Sequence, residues 1–356
     1  METLFGEYCR LWLDSQNFVL DSTDIYFGAS SKQRTIATAR AFAAGMLPLM
    51  TVHVDYKVDE NGKVGYPDPD YLPLLNDHST TNGAFNHEAF KAEAYRELGE
   101  LKAPSYTYLE KVLRMKHSEY ARKHGTAHFD SHVGVILDFY DKNGNPLEPQ
   151  MQGGLKEANM ASDAFVLQYY EMENAKDAAF GRRLCFNDWK RLAYVKDYYG
   201  DLLFTSPIIS VNVSHCMLQR IQKEMAPDGH KFAFLCSHDS MIGAVLAALR
   251  APEYELPNTI ESKTPIGFKL VLEQWVETEG THPKRYVHAR LMYQSTEQIR
   301  GMKQMDLDNP PMSYDLSFTG LQKAPNGMYV YEDFMNHLQK SIDAYHATAR
   351  GEHPWE

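Results

Sequence analysis

The sequence predicts an α/β fold whose core is interrupted by a mostly helical segment. Two apolar runs, at residues 24–27 and 232–236, lead almost directly into stretches with the spacing and composition of helices. A strand that passes into a helix is the repeating unit of α/β folds. Between these units, residues 65–200 are rich in proline at first and then helical. We therefore predict an α/β core of residues 1–64 and 201–356, with residues 65–200 as a helical cap.

The first part of the core is predicted to contain a helix, a strand, a second helix and a second strand. Helical spacing places four apolar residues on one face of the first helix: Leu4, Tyr8, Leu11 and Trp12. The strand at residues 24–27 leads through a polar turn into a helix at residues 33–46, which ends near Gly45 and Pro48. The second strand is expected at residues 50–56.

The cap is predicted to contain four helices and one hairpin. The helices are expected at residues 90–101, 106–122, 161–170 and 186–199. The hairpin begins with a strand at residues 133–140 and turns at Asn143-Gly144, a dipeptide typical of tight β-turns.

The α/β pattern returns after the cap. A helix at residues 207–225 has proline in its first turn, where a backbone N–H is not needed. The strand at residues 232–236 and a helix at residues 241–249 follow it. Three further elements complete the core: strands at residues 266–275 and 286–294, and a helix at residues 333–345.

The composition is that of a globular protein with an excess of acidic residues. Hydrophobic residues make up 44% and charged residues 23% of the 356 residues, and the formal net charge at pH 7 is -11. Nucleic-acid binding requires a basic surface, so nucleic acid is not expected as a partner. A small phosphorylated substrate needs only a local basic pocket and is compatible with this charge.

A membrane is not expected as a partner, and no signal peptide is expected within these residues. No apolar run reaches the roughly 18 residues of a membrane span, and Met1 leads into an amphipathic helix rather than a basic and then apolar leader. The four cysteines are too few and too scattered for a disulfide framework or a zinc motif, and their disulfide state stays open: Cys9, Cys185, Cys216 and Cys236.

Residues able to bind phosphate follow both strands of the core. Arg34 lies in the first turn of a helix, where its guanidinium and the helix N-terminus can hold a phosphate; a solvated surface arginine is the alternative. His238 and Asp239 follow the strand at residues 232–236, and a core histidine beside an N-cap aspartate is the alternative. If both junctions open onto one crevice, arginine and histidine neutralise a phosphoryl group and a carboxylic acid protonates a leaving alcohol.

Six segments resemble, in the same order, the acid phosphatase branch of the histidine phosphatase superfamily, in particular bacterial periplasmic glucose-1-phosphatases and phytases. They are SSKQRTIATARAF (30–42), SDAFVLQYYE (162–171), LLFTSP (202–207), CSHDSMIGAVLAAL (236–249), KTPIGFKLVLEQW (263–275) and MYQSTEQIR (292–300). The resemblance implies a three-layer α/β/α core and hydrolysis of phosphate monoesters through a phosphohistidine. It also implies no cofactor, a sugar phosphate such as glucose 1-phosphate or an inositol phosphate as substrate, and a periplasmic or secreted location.

The same resemblance implies roles for four residues. Arg34 matches an arginine that clamps the phosphate, and His238 matches the second active-site histidine, which stabilises the phosphoryl group. Asp239 matches the acid that protonates the leaving oxygen. Glu171 resembles an acidic residue that restricts the pocket of glucose-1-phosphatases, with an exposed helix-end glutamate as the alternative. Its charge would disfavour a heavily phosphorylated substrate.

One part of the family pattern is missing from the sequence. The Arg-His-Gly-x-Arg motif, which carries the nucleophile on the family's first strand, does not occur among the 356 residues. We therefore expect that this strand precedes Met1 and that the chain is N-terminally truncated. His124 is followed by Gly125 but lacks the preceding arginine and follows no strand, so we do not expect it to be the nucleophile.

A metal site is not expected either. Histidines and an aspartate recur over a short stretch, at His124, His128, Asp130 and His132. Gly125 is a poor helix former, so the histidines are not expected to share a helix face, and a solvated loop is favoured.

Two functions are consistent with the sequence. The first is an acid phosphatase whose nucleophile lies upstream, which makes the chain as it stands almost inactive. The alternative is a non-catalytic protein that binds phosphorylated ligands, at the cost of an unpaired strand edge and an open core. In a third arrangement, another chain or a flanking segment supplies the missing strand.

Overall fold

The fold combines a pair of parallel strands, a separate antiparallel sheet and helices packed on both. The computed structural model describes residues 1–78, 84–278 and 283–356. The α-helices are α1 Glu2–Ser15, α2 Gln33–Met46, α3 His87–Leu98, α4 Thr107–Leu113, α5 Glu119–His124, α6 Gly154–Glu171, α7 Ala175–Ala178, α8 Phe186–Phe204, α9 Pro207–Met225, α10 Asp239–Ala248, α11 Thr296–Arg300, α12 Tyr331–Asp343 and α13 Tyr345–Arg350. The strands are β1 Ile25–Ala29, β2 Val133–Ile136, β3 Gln150–Gly153, β4 Phe232–Cys236, β5 Lys269–Glu277, β6 Lys284–Tyr293, β7 Met312–Asp315 and β8 Tyr329–Val330. The predicted α/β class is confirmed.

Two strand–helix units form the part of the core that positions the site. β1 and β4 are parallel neighbours in register from Ile25 opposite Phe232 to Ala29 opposite Cys236. Each leads into a helix at its carboxyl end, β1 into α2 and β4 into α10. The predicted boundaries of α2, α9 and β4 are confirmed, and β1 continues two residues further than predicted.

The strand predicted at residues 50–56 is wrong. In this segment only Asp55 pairs with β1, through a single bridge in which its N–H donates to the carbonyl of Phe27 over 2.8 Å and its carbonyl accepts from the N–H of Ala29 over 2.9 Å. Val54 is buried, whereas Val52 is only partly buried. Only the buried side chain of Val54 and the single bridge at Asp55 hold the segment against the core, and one bridge does not make a strand.

The second sheet is antiparallel. β6 lies at its centre, with β5 on one side and β7 and β8 on the other. Among the described residues, β4 is hydrogen-bonded only to the strand β1, and β5 only to β6. The two sheets therefore present separate unpaired edges.

A small apolar cluster lies between the parallel strands and α1 and α2. Phe42 stacks on Phe234 with ring centroids 4.3 Å apart. α1 and α2 cross closely at Gly6 and Gly45, where an added Cβ atom would lie 2.1 Å and 2.0 Å from backbone oxygens of the other helix. The predicted face of α1 is only partly right, because its buried residues are Phe5, Gly6, Tyr8 and Leu13.

The segment between the two parts of the core is mostly helical and contains the predicted hairpin. β2 and β3 pair as antiparallel strands, and Gly144 in the connection adopts a positive φ of 81°. The single helix predicted at residues 106–122 is wrong: Arg114 has a φ of 54°, and this left-handed residue ends α4. A short 3₁₀ turn and α5 follow. The division into a core and a cap stays a prediction.

Two further observations concern the whole of the described chain. None of its described helices combines the length and the apolar character that a membrane crossing requires. All four cysteines are free thiols.

Candidate active site

The segments that follow β1 and β4 leave the sheet at the same edge. Ala29 and Cys236 are opposite each other at the last position of the ladder, and the N–H of Ser30 donates to the carbonyl of Cys236 over 2.9 Å. This is the carboxyl edge of the strand pair, where open α/β sheets bind their ligands. The polar side chains of the two junctions therefore meet there.

Arg34 and His238 are in direct contact at this edge. Nη2 of Arg34 lies 3.0 Å from Nδ1 of His238, and Oγ of Ser30 lies 2.9 Å from Nε2. A guanidinium can only donate, so Nδ1 accepts and the proton of the ring is on Nε2, from where it is donated to Ser30. Burial, and then the charge of Arg34, lower the pKa of His238 to about 4. His238 is therefore mainly a neutral imidazole above about pH 4.

Ser30 fixes the orientation of the His238 ring through the contact with its Nε2. Its side chain is fully buried, and its Oγ lies 2.8 Å from Oγ1 of Thr35. The Thr35 hydroxyl in turn faces the carbonyl oxygens of Ser30 and Lys32, at 2.8 Å and 2.9 Å. These contacts fix the turn that carries Arg34. Ser30 belongs to the predicted polar turn, but its contact with His238 joins distant parts of the chain and leaves no spacing signal.

Asp239 begins α10 and is paired with a lysine from α8. Its Oδ2 lies 3.0 Å from Nζ of Lys196. Burial by itself would raise the pKa of Asp239, but the charge and hydrogen bond of Lys196, together with the N–H of Ser240 and the charge of His238, outweigh this effect and lower the pKa. Nζ of Lys196 also lies 3.2 Å from Oε1 of Glu261, whose side chain is fully buried. Sequence reasoning missed both residues, because neither belongs to a motif and packing alone brings them to Asp239.

A cavity of about 410 Å³ opens beside Asp239. Its wall includes Lys196 and, besides Asp239, five carboxyl groups: Glu148, Asp163, Asp197, Asp201 and Glu253. Burial raises the pKa of both Glu148 and Asp163. The cavity thus adjoins the predicted proton donor, and its polar wall is mainly acidic.

Glu171 is not among the residues that line this cavity. It is the last residue of α6 and is exposed, whereas Asn159 and Asp163 of the same helix reach the cavity wall. Its role in restricting the pocket stays a prediction.

His124 and His128 of the predicted cap contact residues other than those of this site. His124 ends α5, and its ring stacks on Tyr120 with centroids 4.3 Å apart. Nδ1 of His128 lies 3.0 Å from a carboxylate oxygen of Glu110. Over the part of the chain that the structure describes, no three His, Cys, Asp or Glu side chains are arranged to hold a metal ion.

The geometry of the edge suits the handling of a phosphate ester. A guanidinium is a donor for phosphoryl oxygens, and donors placed in advance stabilise the charge of the transition state. A carboxyl group beside them can exchange a proton with a leaving oxygen.

Comparison with known proteins agrees with this arrangement. A family model described as "Histidine phosphatase superfamily (branch 2)" matches residues 6–292. A glucose-1-phosphatase of Providencia rettgeri is 33% identical over 96% of this chain and 81% of its own length. A glucose-1-phosphatase of Salmonella typhimurium is 32% identical over 94% of this chain and 80% of its own length.

A solved structure extends the likeness to the fold. The phytase of Hafnia alvei in complex with myo-inositol hexakis sulphate superposes with a TM-score of 0.77, at 22% identity, over 96% of this chain and 85% of its own. Since the family model covers most of the chain, this chain belongs to the histidine phosphatase superfamily, branch 2.

Proposed function

We propose that this chain supplies the phosphate clamp and the proton donor of a phosphomonoester hydrolase that works through a phosphohistidine. The observation that carries the proposal is the contact of Arg34 with His238 over 3.0 Å, directly beside Asp239. In this proposal Arg34 binds the phosphoryl oxygens, His238 joins it through Nδ1 once that nitrogen carries a proton and no longer accepts from Arg34, and Asp239 faces the leaving group.

The reaction has two steps. A nucleophilic histidine attacks phosphorus, a P–N bond forms, the P–O bond to the leaving group breaks, and Asp239 donates its proton to the leaving oxygen. Water then attacks the phosphohistidine, its proton returns to Asp239, and the P–N bond breaks to release phosphate. The Arg34 guanidinium stabilises the charge on the phosphoryl oxygens in both steps.

The nucleophile has to come from a segment outside the matched motifs, because Arg-His-Gly-x-Arg does not occur among the 356 residues. We propose that such a segment adds to β4 as a strand. Ala233 and Leu235 alternate with residues bonded to β1, so their N–H and C=O groups point to the opposite, unpaired edge. The apolar residues of β4 before Cys236 are only partly buried, as expected of an incomplete sheet. An added strand would end beside His238.

The proposed substrate class is a small sugar phosphate such as glucose 1-phosphate. A cavity of about 410 Å³ beside Asp239 has the size of a small-molecule site. Its acidic wall repels a leaving group with further phosphates. Relatives of this chain are named for glucose 1-phosphate. A periplasmic or secreted location belongs to the same proposal.

An extended chain tests the proposal. We expect the chain alone to hydrolyse glucose 1-phosphate at a negligible rate. A chain carrying an upstream strand that ends in Arg-His-Gly-x-Arg should hydrolyse it at acid pH. In that extended chain, Arg34→Ala should lower kcat/KM by about 100-fold or more, since one lost charged donor costs roughly 3 kcal/mol. Arg40→Ala, on the exposed side of the same helix, is the matched control. An extended, folded chain without phosphatase activity would overturn the proposal.

The second candidate is a phosphate-ester binder without catalysis. It is favoured by one observation, that the clamp is assembled in a sequence without the nucleophile motif. It predicts that glucose 1-phosphate raises the melting temperature of the chain as it stands, and that Arg34→Ala abolishes the rise. Aggregation on expression, or a melting temperature that does not change when glucose 1-phosphate is added, would argue against it.

A further inference from the structure

A buried lysine connects Asp239 to a second, fully buried carboxyl group. Nζ of Lys196 lies 3.0 Å from Oδ2 of Asp239 and 3.2 Å from Oε1 of Glu261. The side chain of Lys196 is only 13% exposed and that of Glu261 is 0% exposed, whereas Asp239 is 48% exposed. The lysine therefore bridges a carboxyl group that faces the cavity and one that is sealed in the protein.

Glu261 is held in place independently of the lysine. Its Oε2 accepts the backbone N–H of Ile266 over 3.2 Å. Its Oε1 has no hydrogen-bond partner among the described residues, so the ammonium of Lys196 is what compensates this buried oxygen. A buried carboxylate without a counter-charge is strongly unfavourable. Lys196 is therefore anchored at Glu261, and its position relative to Asp239 is determined.

The two charges act on Asp239 in opposite directions. The ammonium favours the ionised carboxylate, and the charge of Glu261 behind it favours the protonated acid. A general acid must carry a proton when the leaving group departs, yet it must also release and regain that proton in each cycle. The ammonium favours release of the proton and the charge of Glu261 favours its return, so the two charges together serve both requirements.

We propose that Lys196 and Glu261 are positioning residues that together orient the Asp239 carboxyl group and control the exchange of its proton. Glu261 acts from inside the protein, and Lys196 acts from the cavity wall through its contact with Asp239. This inference rests on the proposed function only in assigning the proton of Asp239 a role in the reaction.

Other charged groups face Asp239 from the elements packed around it. His238 precedes it and is mainly neutral above about pH 4, Arg34 contacts that histidine, and Glu148 and Asp163 lie across the cavity. Because burial raises the pKa of Glu148 and Asp163, both carry less negative charge in acid than exposed carboxylates would. Lys196 is thus the cation in direct contact with the Asp239 carboxyl group.

The proposal is tested on the chain as it stands, without any need for activity. The titration of Asp239 is followed by the ¹³C resonance of its carboxyl carbon, assigned by its loss in Asp239→Asn. We expect the titration midpoint to rise by about one pH unit in Lys196→Met, and to fall by a few tenths in Glu261→Gln. Lys196→Arg keeps the charge and should restore most of the wild-type midpoint.

Two further variants keep the test interpretable. Lys196→Met leaves Glu261 buried without its partner, so the double variant Lys196→Met/Glu261→Gln, which removes both charges, is made in parallel. Its midpoint should also lie above that of the wild type, because the closer charge has been removed. Lys190→Met is the matched control, since this lysine of the same helix pairs with Glu255 over 2.5 Å. It should not move the midpoint.

The outcomes separate this inference from the proposed function. In an extended, active chain, activity should fall as pH rises through the pKa of Asp239, and this alkaline limb should move up in the double variant and down in Glu261→Gln. A folded double variant with an unchanged midpoint, or single variants that move it in the same direction, would overturn the inference. If the extended chain proves inactive while the midpoints move as expected, the pair controls Asp239 and the proposed reaction is wrong.

Discussion

The polar groups of the site are arranged so that each charge has a defined partner. Arg34 donates to His238, His238 donates to Ser30, and Lys196 contacts Asp239. Burial, and then the guanidinium, lower the pKa of the imidazole, and the ammonium is the main charge that lowers the pKa of the neighbouring carboxyl group. At the scale of the residue, the guanidinium of Arg34 is thus a charged donor for an anion at this edge.

A second buried histidine makes the fold sensitive to acid. His215 is 3% exposed, and its ring lies 4.2 Å from that of Tyr345. Burial lowers its pKa to about 4. The stability that comes from keeping His215 neutral is complete above its ordinary pKa of about 6.5 and is lost as pH falls toward 4. The unfolded chain binds this proton first, which draws the equilibrium toward unfolding.

His215→Gln should make stability less dependent on pH. The residue that remains does not titrate, so the loss of about 2 kcal/mol expected from His215 between pH 7 and about pH 5 disappears. Urea unfolding at both pH values measures the difference. His53→Gln removes a histidine whose side chain is 87% exposed and should leave the pH dependence unchanged. An equal pH dependence in wild type and His215→Gln would show that His215 does not cause it.

At the scale of the element, the crossing of α1 and α2 determines where Arg34 lies. α2 carries Arg34 in its first turn, and its other end passes α1 at backbone contact distance through Gly45. Phe42, on the same helix, stacks on Phe234 of β4. Both contacts fix the distance of α2 from the strand pair. They therefore also fix the distance between the Arg34 side chain and His238.

Two glycines in helices should respond to alanine in opposite ways. At Gly45 an added Cβ would lie 2.0 Å from the carbonyl oxygen of Thr3, so Gly45→Ala must push the helices apart and should cost about 2 kcal/mol or more. At Gly200 of α8 nothing lies within 4 Å of an added Cβ, and Gly200→Ala should stabilise by about 0.5–1 kcal/mol through helix propensity.

Thermal or urea unfolding of the two variants checks this contrast. Ligand binding adds a second readout, because displacement of α2 should weaken phosphate binding in Gly45→Ala. A Gly45→Ala variant as stable as the wild type would show that α1 is not packed as described.

At the scale of the whole molecule, the main feature is that one edge of β4 has no strand paired with it among the described residues. β4 and β5 both contribute to the apolar cluster around Phe42, but no strand among the described residues hydrogen-bonds one to the other. Unpaired edges invite further strands, whether they belong to the proper partner or to an aggregate.

Hydrogen exchange should reveal this edge directly. In the chain as it stands, the amides of Ala233 and Leu235 point away from β1 and should exchange much faster than the amide of Phe234, which faces β1. Addition of the upstream strand should protect both by at least about tenfold and raise the melting temperature. Slow exchange at Ala233 and Leu235 without the added strand would mean that the edge is already covered.

Local patterns in the sequence were sufficient for the class of fold, for α2, α9 and β4, and for the candidates Arg34, His238 and Asp239. Apolar periodicity and the residues at helix ends act over a few positions, so a single sequence reports them. They failed at residues 50–56, which pair with β1 at one position only, and at Arg114, whose left-handed backbone ends α4 within the helix predicted at residues 106–122.

What the sequence by itself determined is therefore the candidate site residues and the strand–helix units that carry them. Only the tertiary structure decided which groups touch: Ser30 with His238, and Lys196 with both Asp239 and Glu261. These contacts join parts of the chain that are far apart in sequence and follow no fixed spacing. Their charges act on one another only at the short distances that packing creates, and for this reason the electrostatics of the site belongs to the fold.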